Sequence, residues 1–124
     1  TPAVRYLQGQ QARRSLTEAF LSGMTGVDIL AMPTAPTAAT PLASDLTVGD
    51  DADPEALAAL VDFTAPFDLT GFPAISVPCG FTATGLPVGL QLVARPWQEA
   101  VLLAVAHVYE QATLWHRRLP PAIA

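Results

Sequence analysis

The side chains of this sequence that could act as nucleophiles or bases include one cysteine, four serines and two histidines. Cys79 together with His107 or His116 could form a thiol–imidazole pair, the arrangement that activates a cysteine for attack on a carbonyl carbon. Nothing local in the sequence would activate this thiol, and a lone cysteine often fills a small space in a core. We therefore favour packing roles for Cys79 and His107, and a small thiol hydrolase stays as an alternative.

The serines and the basic residues exclude several other kinds of catalysis. None of the serines lies in a Gly-x-Ser-x-Gly turn, which exposes the nucleophile in α/β hydrolases. All six basic side chains are arginine, so a lysine base or a lysine Schiff base is excluded from this chain. The acidic residues between 45 and 55 lack the ligand spacing of a calcium loop, and the histidines are too far apart to be neighbouring metal ligands. These residues therefore predict no catalytic set, no metal site and no cofactor.

Composition narrows the class of protein. The net charge is -5, which argues against nucleic-acid binding and against polybasic attachment to a membrane. Hydrophobic residues make up 51% and charged residues 14% of the chain, so we expect a packed core and one domain. The single cysteine gives no sign of a secreted disulfide scaffold, and we expect a cytoplasmic protein. Because the chain starts at Thr1 and its first methionine is Met24, we expect a processed, engineered or partial chain.

The first half of the chain predicts a helix, a strand and a long loop. Helical spacing of apolar residues predicts a helix over 4–23, with its buried stripe at Ala12, Leu16, Ala19, Phe20 and Met24. Residues 27–32 predict a strand that is buried on both faces, in a parallel or mixed sheet. The proline-rich stretch from 33 to about 53 predicts irregular structure.

The second half predicts a hairpin between helices. Helical segments are expected over 53–62 and 64–70, the second closed by Gly71. Strands are expected over 74–79 and 88–94, joined as an antiparallel hairpin. In the second strand, Leu92 should share a face with Val88, Leu90 and Ala94, opposite Gly89, Gln91 and Val93. A helix should follow Pro96, with its stripe at Ala100, Leu103, Ala104, His107, Val108, Gln111, Ala112 and Trp115. This stripe is widened by Val101, Leu102, Val105 and Tyr109, so the first half of the helix should be buried nearly all round.

The resulting order is α–β–loop–α–β–β–α, an α/β arrangement with few strands. Three strands leave two open edges, and a strand as apolar as 27–32 needs cover on both faces. We therefore expect a segment that completes the mixed sheet of a larger fold.

Three stretches of the sequence together resemble the C-terminal region of the amidase signature family. They are FTAPFDLTGFPAISVPCG over 63–80, GLPVGLQLVA over 85–94 and AHVYEQAT over 106–113. The stretch DILAMPTAP over 28–36 is similar to that family's strand-to-loop segment. The resemblance covers nearly the whole of 1–124 except the variable loop over 38–53, and it implies that 1–124 is the C-terminal part of an amidase signature domain.

The resemblance implies hydrolysis of a carboxamide C–N bond by a serine, a second serine in a cis peptide, and a lysine. In the family these residues lie upstream of the matched region, and this chain has no lysine and no Gly/Ser-rich signature. The catalytic residues are therefore expected to be absent, so the isolated chain should be inactive. The implied partners are the remainder of the amidase chain and a small amide, with a homo-oligomer possible and no nucleic acid, membrane, metal or organic cofactor.

The resemblance also implies which residues meet the substrate. Turns around the C-terminal strands line the acyl pocket in the family, which nominates the following residues here: Pro33, Thr34, Phe67, Asp68 and Thr70. Arg13 matches a helix position that meets the substrate's α-carboxylate in glutamine-using members, although the neighbouring Arg14 leaves the choice open. The alternative interpretation of the whole chain is a non-catalytic domain or subunit that pairs with another chain through its open sheet.

Overall fold

The computed structural model describes residues 2–39, 58 and 60–119. The elements with defined ends are, in chain order, α1 (Ala3–Gly23), β1 (Ile29–Pro33), α2 (Ala65–Thr70), β2 (Ala74–Phe81), β3 (Pro87–Ala94) and α3 (Glu99–Ala112), followed by a 3-10 turn at Trp115–Arg117. Residues 58, 60 and 61 are also helical. The rest of the helix predicted over 53–62 and nearly all of the variable loop over 38–53 lie outside the described residues. The predicted mixture of helices and strands is confirmed.

The strands form one antiparallel sheet in the order β1-β3-β2. β1 pairs with β3 from Ile29 opposite Ala94 to Pro33 opposite Leu90, and β2 pairs with β3 as the predicted hairpin. The parallel neighbour that its apolar sequence suggested for β1 does not occur within the described sheet. β1 is apolar because its side chains reach helices on both faces, Ile29 on one and Leu30 on the other. It remains only half-buried because its outer edge is open in the described sheet.

Side chains alternate across β3 as predicted and build two clusters. The α3 cluster lies on one face of the sheet and consists of Val77, Leu92, Ala94, Leu102 and Ala106. The aromatic cluster lies on the other face, toward α1 and α2, and consists of Met24, Phe67, Phe72 and Val93. β3 contributes to both clusters, and its residues 91–94 are all buried, so this half-strand is the centre of the core.

The burial predicted nearly all round the first half of α3 is wrong in its extent, although Leu102, which was expected to be buried, does lie in the core. The helix turns Leu102 and Ala106 into the core, whereas Leu103 and Val108 from the predicted stripe are 58% and 67% exposed. A helix that is apolar nearly all round carries little information about which side faces the sheet. The sheet covers only one line along it, so much of the predicted stripe stays open in the described part of the chain.

Helix α1 contacts the sheet mainly through its C-terminal end. Met24, just past the helix, is buried, and Phe20 packs on Phe67 and Phe72 with ring centroids 5.2 and 5.9 Å apart. Ala12 and Ala19 of the predicted stripe are exposed. The rest of α1 extends beyond the sheet, which explains why its N-terminal apolar residues have no cover in the described structure.

Two further contacts stabilise the C-terminal end of α2 and the C-terminal turn. α2 ends where Gly71 adopts a left-handed conformation, with φ 78°, and donates its N–H to the Phe67 carbonyl at 2.7 Å, as the predicted glycine stop requires. The Arg118 guanidinium lies 4.0 Å from the centre of the Phe81 ring, which ties the C-terminal turn to the hairpin. No helix in the described ranges is both long enough and apolar enough to cross a membrane.

Candidate functional site

Two hydroxyl groups meet across the central strand on the face of the sheet that carries α2. Thr34 follows β1 directly, and its N–H donates to the Gly89 carbonyl at 3.0 Å, which extends the β1–β3 ladder by one residue. Ser76 lies in β2 opposite Gln91. The Thr34 Oγ1 and Ser76 Oγ atoms are 2.6 Å apart, so the two edge strands are joined by a hydrogen bond above β3.

Gly89 makes this hydroxyl pair possible. A Cβ at position 89 would lie 2.7 Å from both the Ser76 Oγ and the Thr34 Oγ1. Such a contact is shorter than any normal van der Waals approach, so a side chain here would push the two hydroxyls apart. The glycine therefore provides space above the strand, and its φ lies outside the left-handed region.

The hydroxyl pair lines two adjoining grooves. The α2 groove runs between the sheet and α2, and its walls include Thr64, Phe67, Asp68, Phe72, Ser76, Gln91 and Thr34. The proline groove continues toward the residues after β1, and its walls include Pro33, Pro36, Pro78, Pro87, Thr34 and Ser76. Thr34 and Ser76 belong to both grooves, so a ligand in either one would pass over the two hydroxyls.

Gln91 holds the segment before α2 against the sheet. Its side chain is 3% exposed, and its Nε2 donates to the Phe63 carbonyl at 2.8 Å. A buried amide needs such a partner, because an unsatisfied polar group in the core would lower stability by about 1–3 kcal/mol. This bond places Phe67 and Asp68 along the edge of the α2 groove.

The structure separates the six predicted substrate residues into three groups. Thr34, Phe67 and Asp68 line the α2 groove, and Pro33 lies in the adjoining proline groove. Thr70 is buried, with its hydroxyl donating to the Pro66 carbonyl at 2.7 Å. Arg13 lies on α1 in a separate surface depression with Gln10, Arg14, Thr17 and Glu18.

Three residues of the grooves, Ser76, Gly89 and Gln91, were not predicted from the sequence to line a site. For Gly89 and Gln91 the sequence signal was the alternation of side chains along β3, which places both residues on the face opposite Leu90 and Leu92. A small residue and a polar residue on one face of an otherwise apolar strand indicate a partner or an opening on that face. Ser76 could have been found only through its register opposite Gln91.

The cysteine shows no catalytic arrangement. The Cys79 Sγ donates to the Val88 carbonyl at 3.5 Å, and no bond to a histidine is found among the described residues. His107 is exposed on α3 rather than a core histidine, which corrects the packing role expected for it. Within residues 2–39, 58 and 60–119, no group of three histidine, cysteine or acidic side chains is arranged to hold a metal ion.

The chemistry of the grooves is that of a neutral polar binding wall. In the hydroxyl pair, one group donates to the other, and the second keeps its proton for an outside acceptor. Asp68 is exposed and adds an acceptor at the groove edge, while Phe67 and Phe72 give it an apolar side. The described wall can bind and orient a polar organic molecule, and it contains no assembled nucleophile and base.

Comparisons with known proteins place the chain in a family. The amidase family model matches residues 1–103. A glutamyl-tRNA(Gln) amidotransferase subunit from a Synechococcus strain is 43% identical over 116 residues, which cover 94% of this chain and 21% of that protein. The chain therefore spans about a fifth of the length of the curated relatives it matches.

Solved structures give the same result for the fold. The corresponding glutamyl-tRNA(Gln) amidotransferase subunit from Thermotoga maritima superposes with a TM-score of 0.74 at 29% identity, covering 87% of this chain and 22% of that one. A 6-aminohexanoate cyclic dimer hydrolase superposes with a TM-score of 0.72 at 31% identity, covering 91% and 24%. The resemblance inferred from the sequence is thus confirmed, and the chain belongs to the amidase family.

Proposed function

We propose that residues 1–124 form the C-terminal part of an amidase signature domain, and that the complete protein hydrolyses a carboxamide C–N bond. The observation that carries this proposal is the family match over residues 1–103, which includes both groove-forming strands β2 and β3. The amide hydrolase among the structural relatives, whose name gives a cyclic amide dimer as its substrate, supports hydrolysis rather than transfer alone.

The proposed chemistry is acyl transfer through a serine, a cis-peptide serine and a lysine. This chain has no lysine, so the base must come from another part of the polypeptide. Its partners would be that remainder and a small-molecule amide. The proposal needs no metal and no organic cofactor, because a serine nucleophile and an oxyanion hole suffice for amide hydrolysis.

The proposed contribution of this chain is to orient the acyl part of the substrate. Phe67 lines the α2 groove from within the aromatic cluster, and the free proton of the Thr34–Ser76 pair can be donated to an acceptor. Asp68 can accept a hydrogen bond but cannot donate one when ionised. A wall of this kind raises the rate by holding the carbonyl carbon close to a nucleophile supplied from outside the chain.

Arg13 and Thr70 are the two proposed substrate residues outside the grooves, and Arg13 is the exposed one of the two. We propose that it binds a carboxylate only if the rest of the polypeptide brings substrate to α1. Arg13→Ala should then raise KM for a carboxylate-bearing amide such as L-glutamine and leave KM for a neutral amide unchanged. Arg14→Ala is the matched control, because Arg14 shares the depression and pairs with Glu18.

A second candidate function is a non-catalytic domain or subunit that pairs with another chain through the sheet. The observation in its favour is that β1 and β2 are edge strands in the described sheet, and unpaired edges are sites for strand addition. In that case the protein would bind its partner and hydrolyse no amide at all.

One experiment decides between these functions and the thiol hydrolase. Ammonia release from primary amides is measured for the protein made from the complete coding sequence, for the 124-residue chain, and for Cys79→Ala in both. We expect turnover by the complete protein, none by the short chain, and no effect of Cys79→Ala. Turnover by the short chain that is lost with Cys79→Ala would contradict the proposal, and so would inactivity of the complete protein.

A further inference from the structure

The Thr34–Ser76 pair lies where a ligand can contact it, and holding two strands together is not its only possible role. A strand pair is already held by its backbone ladder: β2 pairs with β3 on both sides of this point, and β1 pairs with β3 from Ala94 to Leu90, with the Thr34 N–H adding a bond to the Gly89 carbonyl. The two hydroxyls are 2.6 Å apart, and they lie on the wall shared by the α2 groove and the proline groove. The absence of a side chain at Gly89 makes room for the two hydroxyls directly above the strand.

The hydrogen-bond inventory of the pair fixes what it can recognise. Two hydroxyls carry two protons, and the bond between them uses one. Thr34 and Ser76 make no other side-chain hydrogen bond within the described residues, so one proton remains available to a ligand. Either hydroxyl can be the outer donor because the pair can reverse its direction, which lets it adapt to an acceptor from either groove.

We propose that this hydroxyl pair is a specificity-determining contact that donates a hydrogen bond to an oxygen acceptor within the acyl chain of the substrate amide. The proposal rests on the proposed amidase function and names a substrate class for it. Amides with an ether or carbonyl oxygen in the acyl chain are favoured over their all-carbon counterparts. Asp68 on the α2 groove disfavours a carboxylate as that acceptor, because two negative charges would repel each other there.

The test compares substrates that differ only in the acceptor atom. The protein from the complete coding sequence is assayed with methoxyacetamide against butyramide, and with methoxypropionamide against pentanamide, where an oxygen replaces one methylene group. The ratio of kcat/KM within each pair cancels the concentration of folded enzyme. A loss of stability therefore cannot change the ratio, whereas loss of a ligand contact can.

The variants remove the pair in two different ways. Ser76→Ala and Thr34→Val delete one hydroxyl each, and Gly89→Ala keeps both hydroxyls but places a Cβ 2.7 Å from each of them. Thr84→Val is the matched control, because its hydroxyl forms a similar exposed bond to Thr82, at 2.8 Å, in the hairpin turn. The variants Ser76→Ala, Thr34→Val and Gly89→Ala disturb the Thr34–Ser76 pair itself, whereas Thr84→Val leaves it intact.

We expect the wild-type protein to prefer the ether amide in at least one substrate pair. The double variant Ser76→Ala/Thr34→Val should lower that preference by about tenfold, the effect of one hydrogen bond near the upper end of its usual range. Gly89→Ala should lower it in the same direction, and Thr84→Val should leave it unchanged. Hydrolysis of all four amides with the same ratios in the wild-type and double-variant proteins would overturn this inference while leaving the proposed function intact. Hydrolysis of none of the four by the wild-type protein would overturn this inference, and the proposed function would fail with it if no other primary amide released ammonia.

Discussion

The two halves of strand β3 show how one element can serve the core at one end and a ligand at the other. Its last four residues, 91–94, are all buried, and they feed the clusters on both faces of the sheet. Its first four, 87–90, are exposed or half-buried, and residues 87–89 border the proline groove. The backbone ladder with β2 runs through both halves, whereas β1 pairs only with residues 90–94, and the two halves differ further in their side chains and in what covers them.

The covering elements explain the difference. At the buried half, α3 lies on one face, and the end of α1 together with α2 lies on the other. At the open half, the described atoms nearest to a Cβ at Gly89 are the two hydroxyl oxygens of Thr34 and Ser76. Substitutions in the buried half should therefore change stability first, and substitutions in the open half should change substrate choice first. Leu92→Ala and Gly89→Ala test this division directly, and Asp68→Asn and Glu18→Gln extend the comparison to the groove edge and to the exposed face of α1, from the largest expected effect to the smallest.

Leu92→Ala should have the largest effect. Leu92 is 4% exposed in the α3 cluster, and removing its side chain should lower the free energy of unfolding by about 3 kcal/mol, the usual cost of a cavity in a core. Urea unfolding of the protein from the complete coding sequence measures this loss. Leu86→Ala, at a residue 38% exposed just before β3, is the matched control and should cost clearly less. Equal losses would break the distinction between the two regions.

Gly89→Ala should have an intermediate effect on stability and a clear one on activity. The new Cβ would crowd both hydroxyls, and overpacking of this kind costs about 1–3 kcal/mol. Gly9→Ala in α1 is the matched change, because no atom lies within 4 Å of a Cβ there and a helical alanine should raise stability by about 0.5–1 kcal/mol. Thermal unfolding of both variants should therefore shift in opposite directions. Shifts of the same sign would show that Gly89 has no special packing role.

Asp68→Asn should change substrate preference with little change in stability. Asp68 is exposed, so the free energy of unfolding should stay within about 0.5 kcal/mol of the wild-type value. An amide can donate where a carboxylate only accepts, and the cationic substrate β-alaninamide should lose about fivefold in kcat/KM relative to butyramide. Asp62→Asn is the control, at an exposed acid outside the α2 groove. A loss of stability without a change in substrate preference would mean that Asp68 stabilises the fold and does not contact the substrate.

Glu18→Gln should have the smallest effect. Glu18 pairs with Arg14 on the exposed face of α1 at 3.0 Å, one turn apart, and such pairs stabilise a helix by about 0.3–0.5 kcal/mol. Denaturant unfolding at low and at high salt should show a small loss that disappears with added salt. A loss above about 1 kcal/mol would mean that this part of α1 is coupled to the core as tightly as Phe20 is.

The sequence predicted those parts of the fold that depend on residues close together in the chain. The alternation along β3 placed Leu92 and Val93 on opposite faces, and the glycine after α2 marked its end. The burial of α3 could not be predicted in the same way, because its apolar residues run nearly all round the helix. Contact with the sheet, not hydrophobicity, decided that Leu102 is buried and Leu103 is exposed.

The candidate site was less predictable because it depends on register. Thr34 and Ser76 are far apart in the sequence, and only the order β1-β3-β2 places them on either side of Gly89. The family resemblance nominated Thr34, yet it gave no reason to pair that residue with a serine. Thr70 was nominated by the same resemblance, and it lies buried with its hydroxyl bonded inside α2.

The strand order also has a consequence for how the chain folds. β2 and β3 are joined by a short turn, whereas β1 must reach β3 across a much longer stretch of chain before Ile29 can pair with Ala94. Closing a long loop costs more entropy than closing a short one, so contacts between distant residues form later. The hairpin should therefore assemble early, with φ-values closer to one, and β1 should dock late, with φ-values near zero. Because Thr34 is carried by the late strand, the hydroxyl pair would be completed only as folding ends.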